Sequence, residues 1–349
     1  MTYVGIDLHK RESQICIMTA TGDVKQVRIR STKSAISEEL EGLKRAKVLL
    51  ESSTSSEWVA RTIESLGHEV IVADPNYAPM MGSRRKRKVK TDQRDALALA
   101  EACRIDAYRP AHRMSDADRR LRGELAVRSK LVGMRTSLVT LVRSLLLQYG
   151  EPVASCDAEH FAGRMRELSL SDDERAVVEP ALAMIESICK QLTKADAALE
   201  KRAGKDETAQ RLTSVPGVGP ITALMFTAVM GNPERFASAA HASAYIGLVP
   251  GENSSGDGVR RTRITKTGNS YLRSLLVQCA WSLIRSRDGG GLRQWARRLG
   301  EKRGKRVAAV ALARRLARIL WALWKRGTPF DPSLHPVRQL EVSVVPVTN

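Results

Sequence analysis

The sequence predicts an N-terminal α/β domain, a helical coiled-coil segment and a mainly helical C-terminal domain. Three observations carry this. Short β-favouring runs alternate with amphipathic helical stretches over the first hundred residues. An apolar stripe at heptad spacing then runs through a stretch with few helix breakers. Beyond residue 270 the chain is rich in leucine and alanine on helical faces that also carry tryptophans. The expected boundaries are 1–110, 111–203 and 204–330, with 331–349 as a tail.

Thr2 to His9 alternates and then reaches an acid, so Asp7 is expected near the carboxyl end of a first strand. Gln14 to Thr19 and Val24 to Ile29 add two strands around the turn Ala20-Thr21-Gly22-Asp23. Ser34 to Ala46 reads as a helix and Lys47 to Leu50 as a buried strand with Glu51 at its end. Trp58 to Leu66 is a second helix, capped by Gly67, and His68 to Ala73 a fifth strand. A later helix starts at Asp92 and runs through the Ala/Leu stretch to Ala102. The order β-β-β-α-β-α-β, with acids ending the first and fourth strands, resembles the ribonuclease H-like fold of RuvC-type nucleases. In that fold the first and fourth strands are neighbours, which places Asp7 beside Glu51.

Six of the seven residues from Arg84 to Lys90 are basic: Arg84, Arg85, Lys86, Arg87, Lys88 and Lys90. Asp92 and Asp95 follow, three apart, on one face of one helical turn. One reading is a solvated basic loop and a helix start whose acids favour the dipole. The other is a site holding both a divalent cation and a phosphodiester. Phosphodiester cleavage by paired Mg²⁺ ions about 4 Å apart needs carboxylates converging from several elements. Asp7 alone fits a strand-end turn and Glu51 alone a surface acid. All four acids at these positions favour the metal reading, and an all-carboxylate donor set favours Mg²⁺.

Lys+Arg number 57 against 38 Asp+Glu, a formal charge of +19 spread over the whole length, which points to a polyanion partner. Aromatic residues make up only 4%, so phosphate contacts rather than base stacking are expected to dominate. Cys16, Cys103, Cys156, Cys189 and Cys279 are odd in number, far apart and without zinc spacing, as in reduced core positions. No signal peptide is read at the start and no apolar run approaches 18 residues, so a soluble intracellular protein without membrane contact is expected.

Ala111 to Gly150 reads as one long helix in which Val127, Leu131, Met134, Leu138, Leu141 and Leu145 step as a coiled-coil seam. Ser171 and Glu174 form a capping box for a second helix carrying Val178, Leu182, Ile185, Cys189, Leu192 and Leu199, with Pro180 a potential kink. These helices either pair with each other or form an arm that pairs with a second protomer. Leu212 to Ala223, LTSVPGVGPITA, has the look of a helix-hairpin-helix turn, with Gly217 and Gly219 leaving backbone N–H groups open to a phosphate; an ordinary Gly/Pro turn is the other reading. In GENSSGDGVRRTRITKTGNSYLR, Ser254 and Ser255 are expected in a glycine-rich loop surrounded by Arg260, Arg261, Arg263, Lys266 and Arg273. Such a loop either binds phosphate or presents an attacking serine. Trp281, Trp295, Trp321 and Trp324 are expected in the core.

GIDLHK, LLES, KTDQRDA, VPGVG, YIGLVPGENSSG and RITKTGNSYLR occur in this order along the chain. In these motifs the chain resembles, end to end, the DEDD-type transposases of bacterial insertion sequences, the one-ten family, which also includes Piv- and MooV-like DNA invertases. The resemblance implies a RuvC-like domain with a metal site of Asp7, Glu51, Asp92 and Asp95, a coiled coil, and a transposase domain with a nucleophilic serine. That serine maps to Ser255, which directly precedes Gly256, with Ser254 as the alternative. It further implies a phosphoserine link to DNA, carboxylates assisting from another protomer of a dimer or tetramer, and a structured bridge RNA pairing with donor and target DNA. The setting implied is the bacterial cytoplasm, at the nucleoid. Three other readings stay open: a RuvC-like structure-specific endonuclease or junction resolvase using water, a protein-guided invertase, and a non-enzymatic nucleic-acid-binding protein, against which the acidic quartet argues.

Overall fold

The computed structural model describes residues 1–75, 91–255, 258–287 and 289–334, with the backbone alone over 253–261. The chain divides into two compact units, 1–114 and 115–349, each described by itself.

The first unit is built on a five-stranded sheet of β1 (Thr2–Asp7), β2 (Glu12–Met18), β3 (Val24–Arg30), β4 (Ala46–Glu51) and β5 (Glu69–Ala73), in the order β3-β2-β1-β4-β5. The β1-β2 and β2-β3 pairs are antiparallel; β1-β4 and β4-β5 are parallel. Parallel neighbours need crossovers, supplied by α1 (Lys33–Leu40) and α2 (Ser56–Ser65). A helix was expected as far as Ala46, but α1 stops at Leu40 because Ala46 already belongs to β4. Gly67, at φ +85°, turns the chain out of α2 as expected.

Strand alternation decides what each face of the sheet carries. Val4, Ile6, Ile15, Ile17, Val48 and Leu50 pack with Ile36, Leu40, Val59 and Ile63 of α1 and α2. The other face, with Gly5, Cys16, Met18 and Leu49, receives α3 (Asp92–Arg104) through Ala96, Leu99, Ala100 and Cys103. Asp7 and Glu51 share parity with Gly5 and Leu49, and therefore belong to the α3 face.

Among its described residues the second unit is helical apart from one hairpin. It comprises α4 (Asp116–Gln148), α5 (Phe161–Arg166), α6 (Asp172–Ala203), α7 (Glu207–Thr213), α8 (Pro220–Met230), α9 (Ala239–Tyr245), β6 (Pro250–Ser255), β7 (Gly258–Ile264), α10 (Ser270–Arg285), α11 (Gly290–Arg303) and α12 (Lys305–Arg326). The capping box of Ser171 and Glu174 is formed, and α6 continues through Pro180. In α8 every residue from Thr222 to Met230 is buried, at the centre of a core shared with α10 and α12. Trp321 joins that core and its Nε1 donates to the Pro233 carbonyl at 3.0 Å.

α4 and α6 pair with each other, one residue out of the expected register. Leu121, Leu125, Val142 and Leu146 are buried, whereas Val127, Met134 and Leu141 are exposed. The inner row steps 121, 125, 128, 132, 135, 139, 142, 146, a heptad containing Arg128 and Arg135. Arg128 pairs with Asp196, and Arg135 donates to Cys189 Sγ at 3.7 Å. Two arginines with partners across the seam hide it from a count of apolar residues. Among the described residues no helix is long and apolar enough to cross a membrane.

Candidate active site

β1 and β4 run in parallel with Ile6 opposite Leu50, so Asp7 and Glu51, one residue further on each, end adjacent strands side by side. α3 starts beside them. Thr91 caps it, its Oγ1 accepting from the Arg94 N–H, and Asp92 and Asp95 occupy its first turn. Asp95 is 6% exposed and the Asp92 side chain 46%, so the pair spans from protein interior to solvent.

One residue that sequence reasoning missed joins two of these acids. His9 Nε2 lies 3.2 Å from Asp7 Oδ2 and 3.3 Å from Asp92 Oδ1. Among the described residues, Asp7, His9 and Asp92 form the group whose ligand atoms all lie within 4.8 Å of one another. Glu51 and Asp95 flank this group without belonging to it. Two carboxylates and an imidazole in that space, half open to water, fit a divalent cation that keeps part of its hydration shell. The signal for His9 was its place two residues beyond Asp7 in GIDLHK.

A relay of amides fixes the start of α3. Gln14, opposite Asp7 in the β1-β2 register and buried, donates to Gln26 Oε1 at 3.0 Å. Gln26 Nε2 in turn donates to the Gln93 carbonyl, also at 3.0 Å. The sheet thus holds the turn that carries Asp92. Two thiols line the buried side of α3: burial, reinforced by Glu101, pushes Cys16 up to about 11, and burial pushes Cys103 up to about 12. Burial thus holds both as neutral thiols near neutral pH.

The serines lie in the second unit. A loop was expected, but β6 and β7 form an antiparallel hairpin with Ser254 opposite Val259 and Ser255 opposite Gly258. Cross-strand pairing satisfies the backbone of both segments, and Ser255 is the last paired residue before the turn. Arg260 and Arg261 return along β7 opposite Asn253 and Glu252. Arg263 and Lys266 are exposed. Arg273 Nη1 donates to the carbonyls of Ile246, Thr267 and Gly268 at 3.1, 2.6 and 3.1 Å.

These contacts lock two motifs together. A Cβ on Gly247 (φ +80°) would stand 2.1 Å from the Thr267 oxygen, and one on Gly268 (φ +74°) 2.1 Å from the Tyr245 oxygen. In the α7-α8 turn, Gly217 (φ +81°) lies against the Cys279 carbonyl and Gly219 is the exposed N-cap of α8. The basic run of Arg84, Arg85, Lys86, Arg87, Lys88 and Lys90 lies outside the described residues.

Comparison with known proteins bears on both units. A transposase model of the DEDD type matches residues 4–151, and a model described as the transposase IS116/IS110/IS902 family matches residues 209–296. A probable family 20 transposase of Pseudomonas aeruginosa is 31% identical over 304 residues, 82% of this chain and 86% of that protein. The transposase for insertion sequence element IS1111A of Coxiella burnetii is 31% identical over 335 residues, covering 93% and 89%. The transposase for IS1328 of Yersinia enterocolitica is 28% identical over 341 residues, covering 95% and 99%. Membership in this group implies a DNA substrate and accords with a divalent metal at the acidic cluster. The chain belongs to the IS110 family of insertion-sequence transposases, and its enzymatic class is that of a DNA transposase or recombinase.

Proposed function

We propose that the chain cuts and rejoins DNA through a serine nucleophile, Ser255, assisted by Mg²⁺ at Asp7, Glu51, Asp92 and Asp95, with donor and target DNA selected by a structured bridge RNA. The observation that carries this reading is the meeting of Asp7 and Asp92 at His9, beside Glu51. The strand order β3-β2-β1-β4-β5 and the acids at the ends of β1 and β4 support a RuvC-like, ribonuclease H-like domain. The α7-α8 turn, with Gly219 at the helix start, supports a helix-hairpin-helix-like phosphate contact.

In the proposed step a Ser255 Oγ–phosphorus bond forms as one backbone P–O bond breaks. The serine proton leaves, and the departing DNA hydroxyl takes one up. The number of phosphodiesters is unchanged, so a second DNA hydroxyl can reverse the exchange without an energy source. Bound Mg²⁺ would stabilise the charge developing on the phosphate oxygens. Arg260, Arg261, Arg263 and Lys266 follow the serine along the hairpin and its exit, where they can hold the DNA backbone. The Arg84 to Lys90 run would hold RNA or DNA in the same way. Val127, Met134 and Leu141, exposed at heptad spacing on α4, support pairing with a second protomer.

The deciding experiment offers the purified chain, with its flanking-DNA transcript, a nicked DNA substrate that traps a covalent intermediate. The reading expects a protein–DNA adduct from the wild type and from Ser254→Ala, and none from Ser255→Ala. Cleavage without any adduct would assign the reaction to water and a RuvC-like endonuclease. RNA retained through a high-salt wash should be one discrete species encoded beside the gene; a heterogeneous background would leave a protein-guided recombinase.

A further inference from the structure

The second unit carries a groove of about 1170 Å³ between α12 and the base of the β6-β7 hairpin. From Lys305 to Arg326, α12 holds seven cations and no acid. Its inner face, with Ala308, Leu312, Leu316 and Leu320, is buried in the core. Arg306, Arg314, Arg318 and Arg326 line the groove on a row of four-residue steps, about 6 Å of rise each, that winds slowly around the helix. Between the arginines lie Val307, Val310, Ala311, Ile319 and Ala322, an apolar floor. Arg263 and Lys266 stand on the hairpin side, and Asp331 is the one acid among the described lining residues.

This pattern selects a ligand class. Like charges along one helix repel one another; burial, and secondarily Arg318, disfavours the charged form of Arg315, whose guanidinium stacks 4.9 Å over Trp295. A polyanion with regularly repeated charges relieves that repulsion. A duplex would leave the apolar floor unused, because it presents phosphates outward and keeps its base faces stacked inside. An unpaired strand presents both phosphates and base faces, and so fits a cationic wall beside an apolar floor.

We propose that this groove binds an unpaired DNA strand, phosphates on the α12 arginines and bases on the apolar floor, and leads it along the hairpin toward Ser255. Ser255 is five residues beyond Pro250, about 17 Å at strand spacing, which places the bound nucleotides to one side of the cut. The direction toward Ser255 rests on the serine reading above; the binding does not.

The test is fluorescence anisotropy on the full chain with a labelled 15-nucleotide DNA strand, its duplex and the same sequence as RNA, across a salt series. Arg306 and Arg318 are exposed, so the Arg306→Ala/Arg318→Ala double variant should keep the wild-type melting temperature. It should bind the single strand about tenfold more weakly, with the log–log salt slope reduced by about 1.4, while duplex affinity changes less than about threefold. Val307→Asp, which puts an acid on the floor at an exposed position, should weaken the single strand similarly. Ser255→Ala should bind as wild type, so loss of the adduct and loss of strand binding are read separately. Unchanged single-strand affinity in both variants would overturn the proposal, as would an equal loss for duplex. RNA binding tenfold tighter than DNA, or a 335–349 peptide whose binding alone depends on Arg306 and Arg318, would assign the groove to another occupant and overturn it too.

Discussion

Gly5 of β1 lies directly beneath Ala96 of α3: a Cβ built on Gly5 would stand 2.2 Å from the Ala96 carbonyl oxygen and 2.3 Å from the Ala100 nitrogen. Backbone meets backbone there, and neither can move without shifting a whole element. The missing side chain is what lets the helix bearing Asp92 and Asp95 sit on the strand ending in Asp7.

Gly5→Ala should therefore lift α3 from the sheet. The expected cost is about 3 kcal/mol, the upper range for overpacking, because no flexible side chain can yield. Urea denaturation would show it as a lower midpoint at unchanged slope. An unchanged midpoint would mean that α3 is not seated on β1 as described.

Removing one carboxylate should separate chemistry from binding. Asp7→Ala and Asp92→Ala are each expected to lower DNA cleavage by at least about 100-fold while changing DNA affinity little, since neither acid attracts the phosphates. Excess chelator should abolish wild-type cleavage and Mg²⁺ restore it. Titrating Mn²⁺, followed by its electron spin resonance, should show a bound ion in wild type and a weaker one in either variant. Full cleavage in chelator would refute the metal site.

Arg273 should behave as a positioning residue. Its Nη1 donates to three carbonyls of the segments locked by Gly247 and Gly268, of which that of Ile246 is partly buried, so Arg273→Ala leaves that acceptor unsatisfied, at an expected cost of about 1 kcal/mol. Arg273→Lys, a point charge without the planar fork, should recover only part. A variant of full stability that had lost DNA affinity would instead make Arg273 a phosphate contact.

The thiols give a pH-dependent prediction. With Cys16 raised to about 11 and Cys103 to about 12, both should resist alkylation at pH 8, and half-buried Cys156 should react first. The sign follows from linkage: the folded chain keeps these protons where the unfolded chain, near the ordinary 9.0, releases them. Their contribution to stability is complete below about 9 and is lost as the pH rises through about 11 for Cys16 and about 12 for Cys103. Mass spectrometry after timed alkylation distinguishes the five cysteines. Early labelling of Cys103 would contradict the packing of α3.

Much of the first unit was legible because its signals are local. Short β-favouring runs located the five strands, and the resemblance to the ribonuclease H-like fold set Asp7 beside Glu51; their common face followed from the register of β1 and β4. For His9 the sequence offered only its place two residues beyond Asp7, which carries no role until the helix brings Asp92 within 3.3 Å. Gly5 left a faint trace, a glycine inside an otherwise β-favouring run, which often marks a close backbone approach. The hairpin was read as a loop because its glycines and serines have low strand propensity, and only the partner strand supplies the hydrogen bonds that hold it.

By itself the sequence determined the element order of the first unit, the cationic character and the acids and serines available for chemistry, because each depends on residue identity and short-range spacing. The tertiary structure decided what spacing cannot encode. It set the α4 seam one residue away from the apolar count, since Arg128 and Arg135 are tolerated there only through Asp196 and Cys189. It also aligned the arginines of α12 over an apolar floor against the hairpin, a pairing of segments more than forty residues apart that depends on how the helices pack around α8.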